Sequence, residues 1–265
     1  MISIILPTFN NNLDFLKFTI NSIEKNSKYP FELLLWDNGN SGETQQYIQK
    51  CKYFYLRSET NIGIAKPYNQ LAKKAKYNII FFADDDMYFL PGWDSFVEDF
   101  NKPFVWRTSL ILDASHDNMS LFCNYGRKIA GFDGQQLKKE IKGYVHPFIR
   151  KGSFMPSALT KEDYFKIGGY DEQFFLGEAD FIWRTFNYFK INKGTQQVSP
   201  SSFIYHFKGQ SGRREEHQQD RLYLRKQMNK KYGESIYEKM DEIIGFFDIL
   251  GPTFDKNNNK IKYDW

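Results

Sequence analysis

Cysteine is scarce. Two residues in 265, Cys51 and Cys123, lie too far apart for a metal-binding pair. That excludes a disulfide framework and a cysteine-based zinc site, and a reducing compartment is the simple reading. Long hydrophobic runs are lacking as well. None approaches the roughly 20 apolar residues needed to span a bilayer, so no transmembrane segment is expected. The first residues enter a strand without a basic stretch and a long apolar one, so no signal peptide is expected and the reading is cytoplasmic. No Gly-rich loop with a basic residue follows that strand, which ranks a nucleotidyltransferase low. The formal net charge of +4 does not by itself call for nucleic acid. No internal repeat, low-complexity tract or clear linker divides the chain.

Hydrophobic residues (41%) and aromatics (18%) are plentiful, enough for a sizeable core. Short apolar runs at residues 2–6, 31–36, 53–57 and 79–82 read as buried strands. Helical spacing is found between them at 13–25, 43–51 and 65–76. This alternation predicts a mostly parallel sheet covered on both faces. The second half is less regular. Strands are expected at 105–112, 119–123 and 198–206, helices at 179–188 and 213–232, and a loop over 130–143. Thr160 reads as a helix N-cap with Asp163 three residues on.

The stretch 79–89, IIFFADDDMYF, stands out. Three adjacent carboxylates at a strand end repel one another unless a cation or hydrogen-bond donors sit there. Parallel sheets bind ligands outside the carboxyl ends of their strands. Hard oxygen ligands there suit Mg²⁺ or Mn²⁺ with substrate phosphates; an acidic turn capping a helix is the plainer alternative. Loops at Thr8–Asn10, Asp37–Gly39 and Asn61–Gly63 are expected at the same edge.

PTFN, LLLWDNGNSGET, NIGIAKPYNQLAKKA, FFADDD and GGYDEQFFLGEADFIWR occur in that order. With them the chain resembles the family 2 glycosyltransferases, over about the first 210 residues. The resemblance implies a GT-A, Rossmann-like α/β fold: a mostly parallel central sheet flanked by helices in one domain, 1–212, with a helical extension, 213–265. It implies a nucleotide-binding half (1–100) and an acceptor-binding half (101–212). The implied activity is metal-dependent, inverting, hexosyl-type transfer from a nucleotide-diphosphate sugar, a UDP-sugar first, with Mn²⁺ or Mg²⁺ as cofactor. Pro7, Thr8, Asn10, Asp37, Asn38, Asn61, Gly63, Asn69, Asp84 and Asp85 are then expected at the donor. Asp84 and Asp86 look like the acids of a DxD motif, with Asp86 and His206 as metal ligands.

Glu178 falls where the family places its catalytic base, and Asp180 is the other candidate. Gly177 replaces an acid of the family pattern. That departure supports a rival reading, an inactive sugar-nucleotide or glycan-binding protein on the same fold. Trp93 and Trp183 are candidates for stacking on a sugar or acceptor, with a place in the core the equal alternative. Arg213, Arg214, Arg221, Arg225, Lys226, Lys230 and Lys231 concentrate positive charge in the extension. A solvated helix face is the plain reading; the functional ones are an anionic acceptor, a peripheral contact with the inner face of an anionic membrane, a nucleic-acid backbone, or Arg213 and Arg214 on the donor diphosphate. The acceptor stays open among glycan, lipid carrier, protein and modified nucleic acid.

Overall fold

The computed structural model describes residues 1–9, 12–114, 121–142, 156–174, 177–207, 214–233, 236, 253–254 and 260–261. Its first half alternates as expected: β1 (Ile2–Thr8), α1 (Leu13–Asn26), β2 (Phe31–Asn38), α2 (Gly42–Lys50), β3 (Phe54–Ser58), α3 (Ala65–Lys74) and β4 (Ile79–Phe82). Then follow β5 (Met87–Phe89), a 3-10 helix (Ser95–Asn101), β6 (Val105–Asp113), β7 (Leu121–Phe122), α4 (Gly134–Ile141), β8 (Ser157–Thr160), α5 (Lys161–Ile167), α6 (Glu178–Ile191), β9 (Thr195–His206) and α7 (Arg214–Tyr232). A short antiparallel pair, β10 (Thr253–Phe254) with β11 (Lys260–Ile261), comes last.

The main sheet runs β3-β2-β1-β4-β8-β6-β9-β5, with β7 on β6. It is mostly parallel, as expected, but mixed rather than purely so. The strands β1 to β4 pair in parallel, but β8 is antiparallel to β4 and β6, and β5 is antiparallel to β9. Chain length limits where β5 can lie. Four residues separate β4 from β5, so Phe82 and Met87 are five Cα steps apart, a reach of about 18 Å at most. Four strand spacings of a flat sheet are about 19 Å. The sheet therefore curls, and β5 lies back along β9 with Met87 opposite His206.

Period-two alternation fills both faces. Ile5, Leu34, Ile80 and Phe82 point to the face covered by α3, α5, α6 and α7. Ile4, Leu33, Leu35 and Phe81 point to the face covered by α1, α2 and the 3-10 helix. The basic helix α7 is anchored here by Met228, wholly buried, and Leu224. Thr160 does cap α5, its hydroxyl accepting from the Asp163 backbone at 3.0 Å, a bond worth about 1 kcal/mol.

Two expectations fail. The stretch 130–143 is not a loop throughout, because it contains α4. Asp133 caps that helix, accepting from Gln135 and Gln136 at 3.0 and 2.8 Å; Leu137 is its fully buried residue, and Ile141 packs partly buried against the same cluster. Trp93 is not a sugar platform. It is fully buried among Phe81, Phe89 and Phe96, with its ring N–H on Ser27 at 3.2 Å.

Candidate active site

Because β1, β2 and β4 are parallel neighbours, Thr8, Asp37 and the carboxylates after β4 emerge at one edge. Hydrogen bonds then draw their loops together. Thr8 donates to Asp85 at 2.6 Å, and its carbonyl accepts from Asn40 at 2.9 Å. Asp37 is buried; it accepts twice from Asn40 at 2.9 Å and pairs with Arg57. Asn38 donates to Asn61 at 2.8 Å and to the Gly63 carbonyl at 2.9 Å, while its own oxygen accepts from Ile62. Pro7, Thr8, Asp37, Asn38, Asn61 and Gly63 thus share one wall, as the sequence led one to expect. Gly39 closes it: a side chain there would meet the Thr60 backbone at 2.8 Å.

The acidic run sits at the foot of that wall. Burial pushes the Asp84 carboxyl up to about 6, with the charge of Asp86 adding to the rise. Burial and Asp86 push Asp85 up to about 8. Asp86 is buried, and its Oδ1 lies 3.0 Å from His206 Nε2. Burial alone would pull that imidazole down; the charge and hydrogen bond of Asp86, with Asp84 and Asp113 behind, carry it up to about 9. The curl of the sheet makes this pair, since His206 ends β9 and Asp86 precedes β5.

Glu178 is the first residue of α6 and partly exposed. Tyr68 lies within 3.4 Å of Asp84. The Tyr68 and Tyr170 hydroxyls are both pushed well up by burial, and both feel the negative charges of Asp84 and Glu178. Their ring centroids are 5.1 Å apart, so the two phenols stand side by side within electrostatic reach of both acids. Gly177, just before it, has φ 70°, a backbone that side chains rarely adopt, and a Cβ there would meet Tyr170 at 3.2 Å. The missing acid at Gly177 thus has a conformational reason.

Asp180 lies in different surroundings. It is fully buried and braced on both oxygens, by Arg184 at 2.7 Å on one, and by Lys231 at 2.7 Å and Tyr232 at 2.6 Å on the other. Asn69 is likewise engaged with the protein: it donates to the Tyr170 carbonyl and Glu172 and accepts from Tyr164 and the Tyr170 backbone. Trp183 stacks on Phe186 and meets Tyr232 edge-on. Asn10 and Arg213 lie outside the described residues. Tyr68, Tyr170, Arg57 and Lys231 were not anticipated; only the four-residue step from Asp180 to Arg184 had a sequence signal.

Residues 3–104 match the family model for glycosyl transferase family 2. The resemblance carried by PTFN, LLLWDN and FFADDD is borne out over that segment. No curated protein matches the chain in sequence. Among solved structures the chain is similar to S. aureus TarS 1-349, with TM-score 0.54 and 14% identity over 92% of this chain and 75% of that one. TarS 1-349 in complex with UDP gives TM-score 0.52 and 15% identity over the same shares. Against a longer TarS structure this chain spans 45% of the length. At such identities the likeness is one of fold, and it extends past residue 104 into the second half. The family match thus covers residues 3–104, and the shared fold extends over both halves of the chain.

Among the described residues no group of three or more His, Cys, Asp and Glu side chains is arranged to hold a metal ion, and no helix is long and apolar enough to cross a membrane. The Asp86–His206 pair nevertheless fits a divalent cation that takes its other ligands from phosphate and water. Two donors at right angles on a Mg²⁺-sized ion stand about 3 Å apart, and this oxygen and nitrogen are 3.0 Å apart.

Proposed function

We propose that the chain transfers a sugar from a nucleotide-diphosphate sugar, a UDP-sugar first, to an acceptor hydroxyl with inversion at the anomeric carbon. The observation that carries this reading is the strand-end carboxylates, with Asp86 3.0 Å from His206 and Asp84 beside Tyr68, and Glu178 close enough that Tyr68 and Tyr170 feel its charge together with that of Asp84. The wall from Pro7 to Gly63 takes the nucleoside, and Asp37 holds Arg57 and Asn40 in that wall. Asp84 and Asp86 act as the DxD acids. Asp86 and His206 would hold Mn²⁺ or Mg²⁺, which when bound neutralises charge on the departing diphosphate.

Glu178 accepts the proton of the acceptor hydroxyl as general base. The acceptor oxygen then bonds to the anomeric carbon, and the carbon–oxygen bond to the diphosphate breaks with its electron pair leaving on the nucleotide. Asp180 is a poor base by comparison, because both its oxygens are already neutralised by cations and a phenol. A panel of UDP-, GDP- and dTDP-sugars, each with Mn²⁺, tests the reading. A UDP-sugar should raise the melting temperature and then be hydrolysed slowly without acceptor. Stabilisation without any turnover would favour the binding-protein reading, and no stabilisation by any member would overturn both.

A further inference from the structure

We infer that Lys231 and Tyr232, at the carboxyl end of α7, are positioning residues that hold Glu178 at the reacting centre. The inference rests on the reading of Glu178 as general base.

The segment that presents Glu178 opens on Gly168-Gly169 and enters α6 through Gly177, all three at positive φ. It is also tied from outside. Lys231 Nζ lies 2.8 Å from Asp171 Oδ2 and 2.7 Å from Asp180 Oδ1. These carboxylates stand before and after Glu178 in the chain, so one ammonium closes the segment into a loop. The same ammonium sits 5.3 Å from the ring centre of Phe174, between them. Tyr232 donates to the same Asp180 oxygen at 2.6 Å. Arg184 takes the other Asp180 oxygen and reaches back to the carbonyls of Ile167 and Gly169 at 2.8 and 2.7 Å.

An exposed ion pair would be worth little. Here the acid is fully buried and sits one turn or less from Glu178, so the pair fixes where α6 begins. A base must lie within hydrogen-bond reach of the proton that it takes, and small displacements are expensive in rate. Two residues of a helix remote in sequence thereby enter the chemistry of a site they do not touch.

The test compares Lys231→Met, Lys231→Arg, Tyr232→Phe, Glu178→Gln and the double variant Lys231→Met/Glu178→Gln in the full chain. Transfer is followed at saturating donor, with UDP affinity by calorimetry and melting temperature alongside. Lys231→Met should lower kcat about 10–100-fold with donor KM and UDP affinity unchanged. Lys231→Arg should recover most of the rate, and Tyr232→Phe should show a smaller loss of the same kind. In the Glu178→Gln background, Lys231→Met should cost nothing further, since its effect passes through Glu178. If Lys231→Met fails to fold, Tyr232→Phe carries the same comparison. Wild-type kcat in Lys231→Met and Tyr232→Phe, beside an inactive Glu178→Gln, would overturn the inference and leave the base assignment standing. Equal losses from Lys231→Met in both backgrounds would also overturn it. A fully active Glu178→Gln would remove the base and the inference together.

Discussion

Two buried acidic centres in this molecule are built on opposite principles. At the end of β4 three consecutive carboxylates crowd together, with His206 as the imidazole on Asp86 and two of the acids pushed up to about 6 and 8. In α6 a single carboxylate, Asp180, is surrounded by Arg184, Lys231 and Tyr232. The first arrangement raises the cost of its own negative charge, which suits a place that awaits a cation and a diphosphate. The second satisfies its charge internally, which suits a brace. Raised carboxyl groups and balanced ones thus separate a candidate site from a structural tie in the same fold.

Mutation should split the two. The largest expected effect belongs to Glu178, close to the first cluster: Glu178→Gln should lower transfer by about 10²–10⁴-fold with UDP affinity retained, as steady-state kinetics and calorimetry will show. Asp180→Asn should act first on stability. Leaving Arg184 and Lys231 without their buried counter-charge should cost about 3–5 kcal/mol in denaturant unfolding. An equally stable Asp180→Asn protein would mean that the second cluster is no brace. Thr8→Val removes the hydroxyl that donates to Asp85 and should cost about 1–3 kcal/mol by the same measurement. The smallest effect should come from Lys230→Ala, next to Lys231 and exposed like it but outside the ion pairs that Lys231 makes with Asp171 and Asp180, at about 0.5 kcal/mol or less. A Lys230 effect as large as that of Lys231 would blur the distinction between brace and solvated face.

The first cluster was legible in the sequence and the second was not. Asp84, Asp85 and Asp86 are neighbours in the chain after an apolar strand, so their crowding can be read directly. Asp180 and Lys231 are 51 residues apart, and no periodicity joins them. The same limit governed the fold. The helices and parallel strands up to β4 follow from alternating apolar runs, whereas the reversed directions of β8 and β5 depend on how the sheet curls. In α4, Gln and Lys residues hide the buried anchor, Leu137. Trp93 stood between Pro91-Gly92 and Asp94 like a loop residue, yet packing against Phe81 and Phe89 decided its place. His206 could be named from the family resemblance, but its contact with Asp86 is a product of strand pairing.

The central claim is that the crowded carboxylates after β4 serve a divalent cation and a nucleoside diphosphate. Calorimetric titration of UDP into the wild type and Asp86→Asn, each with and without Mn²⁺, tests it most directly. The account predicts tight UDP binding only for the wild type with Mn²⁺, and weak, metal-independent binding for Asp86→Asn. Equal UDP affinity in all four titrations would contradict it.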